Sequence, residues 1–440
     1  MTLKWWSQGI GIASFVYLRS IESPDANVHN GSMAMRLRQF VFLCLFSTAL
    51  ARVTAADLPP SEWIDPDTGH RVIRLSTDPG TESLYFNINA WTAQGDKLVY
   101  YGPHGIYDYN FKTRQNEMVV PGTNIFGVIV SRNSRKVYYV RHDDHQLTAY
   151  STHLDSHVTR QIGRLPGGGS VLAVNANDTL LAGSFVEDGG HFRWRRGEKK
   201  GTMMVRRLAA HVPMALFTLD IQTGKLNVFN QSTDWLNHVQ FSPTDPNLIL
   251  FCHEGPWHLV NRIWTIHADG TGLKLIQPRT MQMEIAGHEF FSPDGKWIWY
   301  DLQTPRGQDF WLGGYEIATG RRRWYHMQRD EWSIHFNASH DGALFAGDGG
   351  DAGQVAHAQN GRWLYLFHPR LIDASSEKHM DTRAMVQPGV FDAEKLVNMS
   401  KQDYSLEPNV NFSPDDKWIV FRSNMFGPAY VFAVEVARSQ

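Results

Sequence analysis

The 440-residue sequence is poor in three things, and each shortage closes off a class of protein. It has two cysteines, Cys44 and Cys252. Cys44 lies within an apolar N-terminal run that reads as a cleaved signal, so Cys252 is left alone and no intramolecular disulfide framework is available. Placed after the apolar run Leu248-Ile249-Leu250-Phe251, it reads as a small buried hydrophobe rather than a nucleophile. Net charge is also scarce: 42 Lys and Arg against 44 Asp and Glu leave −2, which provides no general field for nucleic acid or an anionic membrane. Any anion must be recognised locally, and nucleic acid is not an expected partner. Long apolar runs are the third shortage. Phe40 to Leu50 is of signal-peptide length and too short to span a bilayer, so no integral membrane segment is expected in the mature protein.

That run follows the basic stretch Met35-Arg36-Leu37-Arg38 and precedes Thr54-Ala55-Ala56, whose small residues suit a cleavage site. The expected organisation is an upstream extension over 1–34, with translation starting at Met33 or Met35, and a signal peptide over 35–56. The mature protein then runs from Asp57 to 440, periplasmic or secreted.

Aromatic residues are plentiful, at 12%, as suits a β-rich fold. The phrase His288-Glu289-Phe290-Phe291-Ser292-Pro293-Asp294-Gly295-Lys296-Trp297-Ile298-Trp299-Tyr300 joins two strand-like runs through turn chemistry. Aligned on Phe291, it recurs at Trp91, Val130, Val174, Phe241, Ala338 and Phe412, with steps of 39, 44, 67, 50, 47 and 74 residues. A period of about 40–50 residues carrying four strands marks a propeller blade. Thr-Gly and Asp-Gly turns, as in Leu219 to Leu226, Ile266 to Leu273 and Tyr315 to Arg322, supply the third and fourth strands. The expectation is an all-β, seven-bladed propeller. Its last blade is one strand short after Tyr430 to Val436, and Arg71 to Ser76, behind an orphan Asp67-Thr68-Gly69 turn, is expected to complete it and close the ring.

Two long steps hold insertions. The first, about 186–212, gathers Arg193, Arg195, Arg196, Lys199, Lys200, Arg206 and Arg207, either as a solvated loop or as a lid for an anionic substrate. The second, about 349–400, reads as a helical or irregular excursion walling a site.

Three residues before the aligned Phe position stand His238, His288 and His335, with Asn409 in the next repeat. Equivalent repeat positions occupy equivalent places around the propeller axis, so these side chains are expected to converge, as a metal site or proton-transfer site needs. His253 ends the strand after His238, and Glu407 shares a side with Asn409 by strand alternation. Taken singly, Glu407 is a strand-end surface charge and each histidine a structural one.

The run Phe251-Cys252-His253-Glu254-Gly255-Pro256-Trp257-His258-Leu259-Val260-Asn261-Arg262-Ile263-Trp264, with Gly287 to Phe290, Ser333-Ile334-His335 and Trp235 to His238, resembles the oligogalacturonate lyases over essentially the whole mature chain. The resemblance implies a seven-bladed propeller that cleaves short galacturonate oligomers by β-elimination. It implies a Mn²⁺ held by three histidines and a glutamine, and a further histidine as base. By matching motif, His253 stands at the base and His288 at one metal ligand. The other ligands come in the family from a Gln-x-x-His-x-His-Pro run, where this chain has Tyr404, Glu407 and Asn409, with Gln402 two residues out of register. His288, Glu407 and Asn409 would hold Mn²⁺, Mg²⁺ or Ca²⁺ through hard donors. Removing a proton α to a carboxylate also needs cationic donors, for which Arg262, Arg422, His238 and His335 are the candidates. The expected partner is an acidic oligosaccharide. The other class open to this chain is a non-catalytic propeller that binds carbohydrate or protein on the same face.

Overall fold

The computed structural model describes residues 58–438, apart from 145, 189, 352, 354–359, 375, 377–380 and 383. The expected signal peptide 35–56, the upstream residues 1–34 and the expected new terminus at Asp57 lie outside the described residues.

The recurring phrase owes its shape to one turn. Ser292 Oγ donates to Asp294 Oδ1 at 2.6 Å and accepts the Trp297 N–H at 2.9 Å, while Gly295 turns the chain at φ +70°. Ser339 with Asp341 (2.6 Å) and Ser413 with Asp415 (2.7 Å) repeat the arrangement. These local bonds satisfy the donors of the turn and fix the register of the strands on either side.

Among the described residues the strands assort into six sheets. Four are four-stranded meanders. They comprise Glu82–Ser83, Lys97–Gly102, Gly105–Asn110 and Gln115–Pro121; then Ile125–Val130, Lys136–Asp143, Gln146–His153 and Thr159–Arg164. Next come Ser170–Val174, Leu180–Val186, Met214–Asp220 and Leu226–Ser232; then Trp235–Phe241, Leu248–Glu254, Ile263–His267 and Lys274–Leu275. The fifth sheet has eight strands. Its meander Ile285–Phe291, Trp297–Gln303, Phe310–Glu316, Arg322–His326 pairs in parallel, through Arg322–His326, with Val386–Asn398, which continues into Trp363–Leu371, Phe345–Gly347 and Phe336–Ala338. In the last sheet His70–Arg74 pairs antiparallel with Tyr430–Arg438, beyond which lie Trp418–Ser423 and Asn411–Phe412. The N-terminal strand therefore docks beside the C-terminal one, and a further strand not expected from the sequence, Glu62–Ile64, lies outside it.

Apolar faces pack each sheet on the next. Tyr138 and Val140 share a buried cluster with Leu181 and Phe217, Leu216 with Phe251, Leu250 with Tyr300, Trp299 with Phe345, and Leu364 with Phe421. The series then returns on itself, because Val420 and Val431 of the last sheet pack with Leu98 and Tyr100 of the first. Each such buried side chain contributes about 1.5–3 kcal/mol. The fold is all-β and propeller-like.

The second insertion differs from its expected form, and the first carries a helix. The first contains helix α1, Lys200–Ala210, which buries Met203, Met204 and Arg207. Two members of its basic cluster are engaged: Arg206 pairs with Glu198 at 2.8 Å, and the Arg207 guanidinium lies 4.6 Å from the Trp235 ring centre. The second is neither helical nor irregular at its core, because Trp363–Leu371 and Val386–Asn398 form a long hairpin. Pro369, Pro388 and exposed charges interrupt the alternation that marks strands elsewhere, and pairing on both sides overrides that local signal.

Candidate active site

The residue three places before the aligned Phe sits on a strand irregularity. Gly127, His238, His288 and Asn409 all have φ between +44° and +62°, and the pairing slips across the first three. Such a bulge takes one side chain out of the strand's alternation and re-aims it. The left-handed backbone costs a non-glycine residue about 1–2 kcal/mol, and its recurrence at Gly127, which has no side chain to aim, makes the bulge a feature of the repeat that the histidines exploit. His335 reaches the same place differently, with its backbone N–H donating to Asp348 Oδ1 at 3.0 Å.

The three imidazoles converge. Ring centres of His288 and His335 are 4.8 Å apart, and those of His238 and His288 are 6.5 Å apart. Each of the last two units supplies a carboxylate to its own histidine: Asp301 Oδ1 lies 2.8 Å from His288 Nδ1, and Asp348 Oδ2 lies 2.7 Å from His335 Nδ1. These pairs orient both rings so that Nε2 is the outward atom. His335 Nε2 faces the Tyr85 hydroxyl at 3.1 Å and Glu407 Oε2 at 3.7 Å. Asn409 joins through its N–H, 3.3 Å from Asp348 Oδ2, and its buried Oδ1 has no hydrogen-bond partner among the described residues.

Burial first, and then the neighbouring His335 and Arg262 charges, push the His288 imidazole well below its ordinary range. Burial likewise pushes the Asp301 carboxyl up to about 7. For His335 burial acts downward, but Asp348 and Glu407 outweigh it and the imidazole is raised. His238 is lowered, mainly by burial, with Glu289 opposing. Its nearest charges are Glu254 Oε2 at 3.8 Å and Glu289 Oε1 at 3.6 Å.

The arginines expected as substrate donors are already engaged. Arg262, 3% exposed in its side chain, spans Glu289 (2.8 Å) and Glu254 (2.9 Å). Arg422 donates from Nε to the Glu407 carbonyl at 2.8 Å and pairs with Glu82. Both hold site carboxylates or backbone in place, because a buried guanidinium needs its acids close by.

His253 stands apart from the three. It shares a strand face with Phe251 and Trp264, stacking on the latter at 4.9 Å, while Glu254 of the alternate face approaches His238. Its Nδ1 lies 3.2 Å from Asp234 Oδ2, which leaves Nε2 as the free lone pair, and its side chain is 15% exposed. Burial lowers its pKa, with Asp234 opposing, so the imidazole is neutral at neutral pH. None of the contacts among the described residues joins it to His238, His288 or His335.

Sequence reasoning missed Tyr85 and Phe86, which pack on the cluster from the connection after Glu82–Ser83. No repeat signal marks them. Asp301 and Asp348 had one: they stand ten residues after Phe291 and Ala338, where Arg422 follows Phe412 and, past a turn one residue longer, Cys252 follows Phe241. Cys252 is buried and free, and burial pushes its thiol well up, as read.

A divalent cation can be tested against these donors. Among the described residues no three His, Cys, Asp or Glu side chains are grouped closely enough to hold an ion by themselves. The His288 Nε2, the part-exposed Glu407 carboxylate and the orphaned Asn409 Oδ1 are instead one imidazole and two oxygen donors, a set that fits such an ion once water or substrate oxygens complete it.

A propeller-like, all-β chain with carboxylate-locked imidazoles at the meeting point of its repeats is the class that fold and site define. Within it, the model of the oligogalacturonate lyase family matches residues 55–440, and the chain belongs to that family. An oligogalacturonide lyase of Pectobacterium atrosepticum is 24% identical over 392 residues, 85% of this chain and 95% of that one. An oligogalacturonate lyase of Dickeya dadantii is likewise 24% identical, over 393 residues with the same coverage. A solved oligogalacturonate lyase in complex with manganese superimposes with a TM-score of 0.71 at 23% identity, covering 86% of this chain and 96% of its own.

Proposed function

We propose that the protein is a lyase that cleaves short uronate-containing oligosaccharides of the oligogalacturonate kind by β-elimination, with a divalent cation on the substrate carboxylate. The observation that carries this reading is the convergence of imidazoles from successive repeats, two of them locked through Nδ1 by buried Asp301 and Asp348. His253, oriented by Asp234 and neutral, is the base: its Nε2 takes the C5 proton α to the carboxylate. The C–H electron pair becomes the C4=C5 double bond, and O4 leaves with the glycosidic electron pair and takes up a proton. His288, Glu407 and Asn409 would hold the cation, Mn²⁺ being the ion proposed over Mg²⁺ or Ca²⁺ because one donor is an imidazole. Bound there, the ion would polarise the carboxylate and stabilise the enolate-like charge. Tyr85, His238 and His335 line the place where that charge develops, while Arg262 and Arg422 position the acids around it.

The same proposal counts the eight-stranded sheet as two blades joined by the Arg322–His326 and Val386–Val390 pairing, which makes seven. It also starts the mature chain near Asp57, outside the cytoplasm, on the basic stretch, apolar run and small residues of 35–56. A second reading, a non-catalytic carbohydrate-binding propeller, is favoured by Glu407 and Asn409 standing where the family resemblance implies histidines. Incubating the purified protein with digalacturonate and a panel of other uronates, with Mn²⁺ or with chelator, and following ultraviolet absorbance of the unsaturated product decides between them. A Mn²⁺-dependent rise supports the lyase; binding without any rise across the panel supports the second reading.

A further inference from the structure

Three consecutive repeats place their second-to-third-strand connections together. The first, between Leu180–Val186 and Met214–Asp220, carries Lys200 at the start of helix α1. The second, between Leu248–Glu254 and Ile263–His267, carries Trp257, and the third, between Trp297–Gln303 and Phe310–Glu316, carries Arg306. Lys200 Nζ lies 5.5 Å from the Trp257 ring centre, and the Arg306 guanidinium carbon lies 5.6 Å from the same centre. No other pair of cations from separate connections shares one indole among the described residues. Neither cation forms an ion pair there with a described acid, in contrast to Arg206, Arg262 and Arg422.

Two like charges brought to one half-buried indole repel each other, and an anion placed between them would relieve that repulsion. The position adds the rest. Trp257 follows His253 by four residues, across the Gly255-Pro256 turn, and Arg306 follows Asp301 on the exit of the same strand. An indole is the usual platform for the apolar face of a pyranose ring, and flanking cations suit a carboxylate on that ring.

We propose that Trp257, Lys200 and Arg306 form a subsite for a second uronate residue, whose ring stacks on the Trp257 indole while its carboxylate faces Lys200 and Arg306. This rests on the lyase reading for the identity of the sugar, and it makes the enzyme selective for an acidic neighbour of the sugar that reacts. The first insertion is then a specificity element, and Lys200 is the member of its basic cluster that faces substrate.

The test measures digalacturonate binding by titration calorimetry and turnover by product absorbance, for wild type and for Lys200→Ala, Arg306→Ala and Trp257→Ala. Methyl-esterified digalacturonate serves as the uncharged control, and a circular-dichroism melt of each variant checks folding. Each charge substitution is expected to weaken digalacturonate binding and raise KM about tenfold, with kcat within a few-fold, and to leave binding of the ester nearly unchanged; Trp257→Ala is expected to weaken both ligands. Unchanged digalacturonate binding in both folded charge variants, or equal losses for acid and ester, overturns the subsite even if the wild type is a lyase. A wild type that binds digalacturonate in this charge-dependent way without cleaving it keeps the subsite and removes the lyase reading. Absence of any digalacturonate binding by the wild type removes both.

Discussion

Around His288 and His335 the protein answers its own charges: Asp301 and Asp348 take the two imidazoles, and Arg262 is closed between Glu254 and Glu289. One residue before Glu254, on the opposite face of the strand, His253 pairs with Asp234, stacks on Trp264 and keeps a partly open ring. Beyond it Lys200 and Arg306 flank Trp257, and neither forms an ion pair with an acid among the described residues. The enclosed half is built of fixed dipoles that need no reorganisation when charge develops, whereas the open half is incomplete until an acidic sugar arrives. The difference separates holding from receiving, and substitutions in the two halves should fail in different ways.

The largest expected effect lies in the open half. His253→Ala should lower kcat on the order of 10²- to 10⁴-fold while leaving digalacturonate affinity nearly intact, as loss of a general base does. Near-normal turnover in that variant would remove His253 from the mechanism. In the enclosed half the loss should appear as stability instead. Arg262→Met leaves Glu254 and Glu289 buried without their cation, so denaturant unfolding should show a loss of about 3–5 kcal/mol; a midpoint like that of the wild type would mean the acids are compensated elsewhere.

A somewhat smaller effect is expected in acid. Burial opposes ionisation of Glu254, but Arg262 and His238 outweigh it and hold the carboxyl at about 2, against 4.5 for the free group. A carboxylate depressed in the folded state contributes stability that is present above the unfolded pKa and lost as pH falls through the folded one. Between pH 4.5 and about 2 the wild type should therefore lose on the order of 3 kcal/mol from this group. Glu254→Gln should start less stable and show a flatter slope over the same window; equal slopes in the two proteins would show that Glu254 is not the titrating group. The smallest change should come from Asp234→Asn. Asp234 favours the charged His253, so its removal should shift the acidic limb of the kcat profile to lower pH, and a shift upward would mean that Asp234 does not act on His253.

Much of the enclosed half was legible because a propeller-like fold repeats its strands, and a repeat turns distant residues into aligned ones. His238, His288, His335 and Asn409 share one repeat position, and Asp301 and Asp348 share another that the same alignment exposes. The closing partnership of His70–Arg74 with Tyr430–Arg438 was legible from an orphan turn at one end and a short last repeat at the other. Arg262 and Arg422 were harder. Sequence spacing put them near the site, but only packing shows that their donors are consumed by Glu254, Glu289, Glu82 and the Glu407 carbonyl. The strands Trp363–Leu371 and Val386–Asn398 were missed because pairing on two sides stabilises them against a weak local pattern.

By itself, then, the sequence determined the all-β repeat, the turns that punctuate it, the register that gathers the histidines, and the likeness that names the family. These depend on neighbours within a few residues or on one period, and so they are written locally. Tertiary structure alone decided which nitrogen of His288 and His335 faces outward, which arginines are spent, that Tyr85 and Phe86 roof the cluster, and that Lys200, Trp257 and Arg306 meet. Those outcomes depend on burial and on charges brought together from connections far apart in the chain, and no local pattern encodes a distance between them.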